Sequence, residues 1–422
     1  MTTHFKHTRF IFSAIIFNCA LALNANAQSL ESLIDQAIFN DPWLKSSNWT
    51  EQAFLQQAEA KTQWMDPTVQ VSLANLAINS FDFKQEAMTQ FKVSAKQMLP
   101  NTQKLNLEKQ VQIDLAQIQP ILRIQREAKL ALSIKQLWLN AYQTHLSIEL
   151  IEKNYQWFEQ IIDLNQTRYQ TGFNMSDSQN ILEAQVALLK IDDRLLSLKS
   201  KKLEHLTKLS QYIFEPISLT DVKWPNFVHI NIEQNFIIEA INSHPLLQVI
   251  IKRAELLSTK SLLVNTTDDL NWNVGVAYSY RADSDNGIKR SDLLSISVGV
   301  NIPYFSKNKT QFLVQSNQSK QHSLDFERQT LVNQLKAQFN TLIAKNEINE
   351  KRIKLNDTQL ITKSLEYSDV ALNAYTTNSN DFSKVLKAKI EQLNTELTSL
   401  ELIKNKQFII ADYQFLTTGI SL

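Results

Sequence analysis

Two kinds of hydrophobic pattern divide the sequence. In four short segments apolar and polar residues alternate at every second position, which is typical of a β-strand with one apolar face. We predict strands over residues 68–77, 89–99, 271–281 and 291–302. Each is about ten residues long, close to what a tilted strand needs to cross an outer membrane. A water-soluble sheet with one buried face would show the same alternation.

Long helices account for the rest of the pattern. Apolar residues recur at alternating spacings of three and four, as in the seam of a coiled coil. We predict one helical hairpin over residues 103–213 and another over 306–416. A helix of about sixty residues is about 90 Å long, which suits a tube across the periplasm better than a compact domain. We expect Pro120 to kink or break the first helix.

The chain contains an internal repeat. Residues 37–44 read AIFNDPWL and residues 240–247 read AINSHPLL, a spacing of 203. The same spacing places the strands of the second half on those of the first, as expected for tandem copies of one structural unit. We predict repeats over residues 28–215 and 232–422, joined by a linker over 216–231.

The first 27 residues predict a secretory signal peptide. Lys6 and Arg9 form a basic start, an apolar stretch follows, and small residues at 25–27 precede the cleavage point. Cleavage would remove Cys19, the only cysteine, so the mature chain has no thiol chemistry. An uncleaved membrane anchor is the alternative, and the shortness of the apolar stretch disfavours it.

Composition and charge narrow the possible functions. Five glycines and eight prolines among 422 residues leave room for few turns, as long helices require. The formal net charge of +1 falls by two with loss of the signal, so no overall charge attracts nucleic acid. Beyond the signal there is no run of 18 apolar residues. Four strands cannot close a barrel, since about eight are needed, so insertion into a membrane implies oligomerisation.

No group of residues predicts catalysis, a cofactor or a metal site. The sequence has no glycine-rich phosphate loop and no nucleophile elbow. Met88 and Met98 are interpreted as packing residues rather than as soft metal ligands. The histidines of the mature chain are scattered without the spacing of metal ligands: His145, His205, His229, His244 and His322. We therefore predict that the protein is not an enzyme.

A series of short motifs follows the two repeats in order. They are residues 37–44 and 240–247 before the strands, 97–100 and 301–303 after them, and 168–172 with 371–375 and 385–388 at the helical turns. Together they resemble the TolC family of outer-membrane efflux proteins over essentially the whole mature chain. The resemblance implies an α+β membrane protein, a homotrimer whose twelve-stranded transmembrane β-barrel is continuous with a periplasmic tunnel of long helices.

The resemblance also implies a function and a set of partners. The trimer would sit in the outer membrane of a Gram-negative bacterium, in contact with lipid, as the exit duct of a tripartite efflux system. A periplasmic adaptor and an inner-membrane pump of the resistance-nodulation-division type would dock on it. Residues 80–90 and 97–100 resemble the heavy-metal branch of the family, which implies heavy-metal cations as a substrate class. A periplasmic structural coiled-coil protein without a pore is the alternative.

By the same resemblance the helical turns form a periplasmic tip that contacts the adaptor or narrows the pore. The residues assigned to it are Arg168, Tyr169, Thr171, Gly172, Tyr375, Thr377, Asn378, Lys384 and Lys387. Family members carry a D-V-L-D-A motif where this chain has KVLKA over 384–388. Threefold symmetry would place both lysines in a basic ring that disfavours cations. A place on the solvated outer face is equally open.

Overall fold

The computed structural model describes residues 29–170, 177–213, 217, 219, 223–226, 230, 233–377 and 382–419. The signal peptide predicted over residues 1–27 lies outside the described residues. So do three predicted tip residues, Thr171, Gly172 and Asn378.

The two halves of the chain have the same order of elements. The first half contains α1 (Leu30–Asn40), α2 (Pro42–Ala60), β1 (Thr68–Ala74), β2 (Gln90–Leu99), α3 (Thr102–Gln170) and α4 (Asp177–Ser210). The second contains α5 (Gln234–Ser243), α6 (Pro245–Asn265), β3 (Asn271–Tyr280), β4 (Leu293–Asn301), α7 (Lys307–Leu355), α8 (Ile361–Thr376) and α9 (Phe382–Leu416). A π-helical segment, Asn356–Leu360, joins α7 to α8, so that these two helices together correspond to α3.

The repeated motif fixes the start of α2 and of α6. Asp41 Oδ1 accepts a hydrogen bond from the Leu44 N–H at 2.9 Å, and His244 Nδ1 accepts one from the Leu246 N–H at 3.3 Å. A proline follows each cap as the first helical residue. Because the cap satisfies a free N–H and proline has none to satisfy, both helices begin sharply at this motif.

The first long helix, α3, runs unbroken through Pro120 for 69 residues. Of the predicted kink or break at this proline, the break is therefore wrong. Proline removes one hydrogen bond, but Ile118, Ile121 and Leu122 around it pack in a cluster with Val249 of α6. This packing against α6 stabilises the helix at the point where proline interrupts its backbone hydrogen bonds.

The four strands form one antiparallel sheet in the order β1-β2-β3-β4. All four strands are shorter than predicted, β2 and β3 by one residue each and β1 and β4 by three. β1 ends at Ala74, three residues early, because Asn75 has a φ of 56° and its side chain donates to the Met88 carbonyl at 3.1 Å. β4 begins at Leu293 because the preceding Asp292 accepts a hydrogen bond from the Arg281 N–H at 3.1 Å and so belongs to the turn.

The hydrophobic core is spread along the helices in separate clusters. Phe158 of α3, Leu393 of α9 and their neighbours form the cluster farthest along the hairpins. Trp138 packs with α1 and α4 in a second cluster, and Phe339 packs with α5 and α9 in a third. Among the described helices, none is both long enough and apolar enough to cross a membrane.

Candidate functional site

Strand pairing places the apolar side chains of all four strands on one face of the sheet. Val71 pairs with Val93, Val93 with Tyr278, and Tyr278 with Leu294, so the alternation stays in register across the sheet. We call this surface the apolar sheet face. Its exposed members are Val69, Val71, Leu73, Phe91, Val93, Leu99, Trp272, Val274, Val276, Tyr278, Tyr280, Leu294, Ile296, Val298 and Val300.

The apolar sheet face is not a protein core. Ile296, in the middle of β4, is 80% exposed, and Leu294 beside it is 70% exposed. A water-soluble sheet with one buried face would cover these side chains. A contiguous exposed apolar surface of this extent marks contact with a membrane or with another protein.

Aromatic residues lie at both ends of the apolar sheet face. Tyr278 and Tyr280 stand at the end that carries the loops. Trp272 stands at the opposite end of the same strand, and Tyr304 and Phe305, 79% and 89% exposed, follow the last strand on that side. Outer-membrane strands have this distribution, with an apolar band between two aromatic girdles.

The opposite surface, which we call the polar sheet face, carries mainly serine, asparagine, glutamine and lysine, with Met98, Ala277 and Leu293 among them. Two glycines on it allow close contact between strands: a Cβ on Gly275 would lie 2.7 Å from Ser297 Oγ, and one on Gly299 would lie 2.7 Å from Asn273 Oδ1. The Ser297 and Asn273 side chains thus occupy the space above two positions at which glycine itself weakens a strand.

The two loops beyond the strands are joined by Arg290. Its Nη1 donates to the carbonyl oxygens of Lys84 at 3.2 Å and Glu86 at 3.0 Å, across more than 200 residues of chain. Lys84 Nζ also lies 3.3 Å from an Asp285 carboxylate oxygen. This connection is not predictable from the sequence, because a long-range contact between loops leaves no periodic signal.

At the other end of the molecule the structure places some of the predicted tip residues. Tyr375 is buried, and its ring centroid lies 5.8 Å from that of Phe382 at a steep angle, which joins α8 to α9. Thr377 is exposed and ends α8. Arg168 and Tyr169 belong to the last turns of α3, and their side chains lie outside the described part of the chain.

The structure brings Lys384 and Lys387 together on one stripe of α9. Between Phe382 and Leu400, the exposed residues of this helix are Lys384, Lys387 and Glu391, spaced three and four apart. Val385 and Leu386, between the lysines, are buried. Both lysines therefore share one surface of the subunit, whichever way that surface faces in an assembly.

A groove of about 330 Å³ lies beside this stripe, between α4 and α9. Lys387, Lys190 and Arg194 line it together with Glu183, so its charged rim is mainly basic. Arg194 Nη1 donates to Asn394 Oδ1 at 2.8 Å and connects the two helices across the groove. We call this the tip groove.

The helix α4 carries two apolar stripes. The first, which includes Ala184, Ile191 and Leu195, is buried in the subunit, as the coiled-coil pattern predicted. The second is exposed, with Leu189 at 66% and Leu196 at 68%. We call it the leucine stripe, and its members are Leu182, Val186, Leu189, Leu196 and Leu203. The leucine stripe is not among the features predicted above, although its residues form a second apolar heptad offset from the first.

Metal ligands are not grouped in the described residues. No three His, Cys, Asp or Glu side chains there come close enough to hold an ion. In the subunit Met88 is 55% exposed and Met98 is half-buried.

Comparison with known proteins identifies the fold. No family model matches the chain, and no curated protein matches its sequence. The solved structure of CusC, a transmembrane channel, matches with a TM-score of 0.77 at 12% identity, over 94% of this chain and 93% of CusC. The outer membrane protein VceC of Vibrio cholerae matches with a TM-score of 0.72 at 13% identity, over 92% and 96%. The outer membrane channel MtrE of Neisseria gonorrhoeae, in its open state, gives 0.74 at 12%, over 92% and 89%.

The chain therefore has the fold of the outer-membrane channels. The predicted resemblance to the TolC family is confirmed at the level of the fold. CusC and MtrE are channels and VceC is an outer membrane protein, which agrees with the prediction that this protein is not an enzyme.

Proposed function

We propose that three copies of this chain form an outer-membrane duct, the exit channel of a tripartite efflux system. The observation that carries the proposal is the apolar sheet face, which is exposed on every strand of a protein with the fold of outer-membrane channels. Contact of such a face with lipid is favourable, whereas its exposure to water costs free energy. The alternative, a periplasmic structural protein without a pore, does not account for an apolar face of this extent.

The two free edges of the sheet support a trimer. β1 and β4 each have a partner on one side only, so each presents a row of unpaired backbone groups. In lipid those groups must pair within the protein. Four strands from each of three copies would close one twelve-stranded barrel, with the polar sheet face inside.

The leucine stripe supports the same assembly in the helical part. Its leucines are exposed in the subunit although their spacing is that of a coiled-coil seam. Packing against a neighbouring copy would bury them and extend the barrel into a periplasmic tunnel.

The tip is the proposed docking site for a periplasmic adaptor linked to a resistance-nodulation-division pump. The tip groove and the exposed Lys384 and Lys387 offer basic and apolar surface there. The predicted tip residues in the two turns, Arg168, Tyr169, Thr171, Gly172, Tyr375, Thr377 and Asn378, belong to the same proposal.

Neighbouring residues on opposite faces of β4 provide a matched test. Ile296→Lys puts a charge on the apolar sheet face, and Ser295→Lys puts the same charge on the polar sheet face. A lysine in lipid costs about 2–4 kcal/mol per strand, and a lysine in a water-filled lumen costs little.

The measurements are the amount of trimer in outer-membrane fractions, seen on unheated gels, and the conductance of purified protein in planar bilayers. We expect Ile296→Lys to deplete the trimer and Ser295→Lys to leave it intact. A soluble periplasmic monomer, or equal behaviour of the two variants, would refute the duct.

A further inference from the structure

The four strands contain only two charged residues, Lys92 and Lys96, and no acidic ones. Both lysines lie on β2, four residues apart, and therefore on the same face. Val93 and Ala95 between them belong to the apolar side, so the two lysines belong to the polar sheet face.

No acidic group compensates these lysines within the sheet. Lys92 pairs across the strands with Ser72 and Ser279, and Lys96 pairs with Thr68 and Gly275. None of the ion pairs found among the described residues includes Lys92 or Lys96. Their charges therefore act on the solution in front of the sheet.

Carboxylates at the loop end of the strands have cationic or polar partners of their own. Asp285 pairs with Lys84 at 3.3 Å. Asp292 accepts from the Arg281 N–H at 3.1 Å and binds the Tyr278 hydroxyl. The charge of Lys84 offsets that of Asp285 at the mouth, whereas the neutral donors to Asp292 leave its charge in place.

We infer that Lys92 and Lys96 make the barrel lumen anion-selective, and that the exported substrates are anionic rather than cationic. The inference rests on the proposed function, because only closure by three copies turns the polar sheet face into a lumen. Two lysines from each copy would then surround one water-filled passage with positive charge.

The size of the effect follows from the surface potential. A potential of about one kT raises the local anion concentration about 2.7-fold and lowers that of cations equally, a ratio of about seven. At 0.1 M salt the Debye length is about 10 Å, so the field of the lysines reaches well into the lumen, and at 1 M it falls to about 3 Å. Selectivity should therefore weaken as salt rises.

Heavy-metal cations, the substrate class implied by residues 80–90 and 97–100, do not fit this lumen. A cation would cross the barrel against the potential of both lysine rows. The charge of the polar sheet face thus favours a different cargo from the one that the sequence motifs imply.

The test is the reversal potential of purified trimer in a planar bilayer under a tenfold gradient of KCl. For the wild type at low salt we expect chloride permeability about sevenfold above that of potassium. Lys92→Ser with Lys96→Ser should bring the ratio to about one, since serine is already the neighbour of Lys92 on both strands. The charge-preserving control, Lys92→Arg with Lys96→Arg, should retain the preference.

The outcomes separate this inference from the proposed function. If no variant and no wild type conducts, the duct itself is refuted, and the inference with it. If the wild type conducts but prefers potassium, or if the serine variant keeps the wild-type ratio, the inference alone is overturned, and cation transport regains support.

Discussion

The leucine stripe of α4 gives a quantitative test of assembly. Fully burying a leucine side chain contributes about 1.5–3 kcal/mol. Leu189 and Leu196 are 66% and 68% exposed in the subunit, so burial by a neighbouring copy would recover about two thirds of this, about 1–2 kcal/mol each. Leu189→Ser with Leu196→Ser should therefore weaken each subunit interface by about 2–4 kcal/mol, and a closed trimer with three interfaces by about 6–12 kcal/mol.

The assay is the heating temperature at which the trimer band gives way to monomer on detergent gels, checked by sedimentation in mild detergent. We expect the serine variant to dissociate at a clearly lower temperature. The volume-conserving control, Leu189→Met with Leu196→Met, should keep the wild-type temperature. Leu195→Ser, on the buried stripe, should instead lower the helix-melting temperature of the monomer. A serine variant that assembles as tightly as the methionine control would refute the interface.

Three further predictions concern buried or exposed polar groups. Both amide atoms of Asn356, in the π-helical segment, lack a hydrogen-bond partner among the described residues, so Asn356→Leu should stabilise the subunit by about 1–3 kcal/mol, seen as a higher unfolding temperature by calorimetry. Burial lowers the pKa of His244 to about 4, below the unfolded value of 6.5, so its contribution to stability is complete above pH 6.5 and is lost as the pH falls towards 4. The loss between pH 7 and pH 5 should be about 2 kcal/mol in thermal unfolding, and His244→Asn should abolish it while keeping the helix cap. If Lys384 faces the pore, Lys384→Asp should introduce block of the single-channel current by divalent cations, and an unchanged current would place the lysine on the outer face.

The periodic features of the fold could be predicted from the sequence. Alternation located all four strands, and heptads located the long helices, because each pattern is imposed by burial or exposure of one surface. Their ends were less predictable. Asn75 stops β1 through its own positive φ and a bond to Met88, and α3 survives Pro120 through contacts with α6. Such effects depend on single local conformations or on distant partners.

The candidate site divides in the same way. The apolar sheet face and the basic residues at 384 and 387 could be predicted from the sequence, because each depends on the spacing of residues that are close together in the chain. The Arg290 contact and the tip groove could not, since each joins parts of the chain about 200 residues apart. The direction in which Lys384 and Lys387 face is set by packing between subunits, and the spacing of residues within one chain does not encode it.

The second helix of each repeat, α2 or α6, begins with the same cap geometry but with a different capping residue, Asp41 or His244. Asp41 caps α2, and its Oδ2 lies 2.7 Å from Arg126 Nη2. Burial alone would raise the pKa of Asp41, but the hydrogen bond and charge of Arg126, together with the Leu44 and Trp43 N–H groups, outweigh it and lower the pKa overall.

The repeat spacing of 203 places His244 where Asp41 stands and Gln329 where Arg126 stands. A buried carboxylate without a cation would be costly there. A neutral histidine, packed edge-on to Phe415 with ring centroids 5.9 Å apart, keeps the cap without the charge. The start of α6 thus keeps the cap without a buried charge pair. Because burial lowers the pKa of His244 to about 4, this start loses stability as the pH falls below 6.5, whereas the contribution of Asp41 to the start of α2 is lost only at more acidic pH.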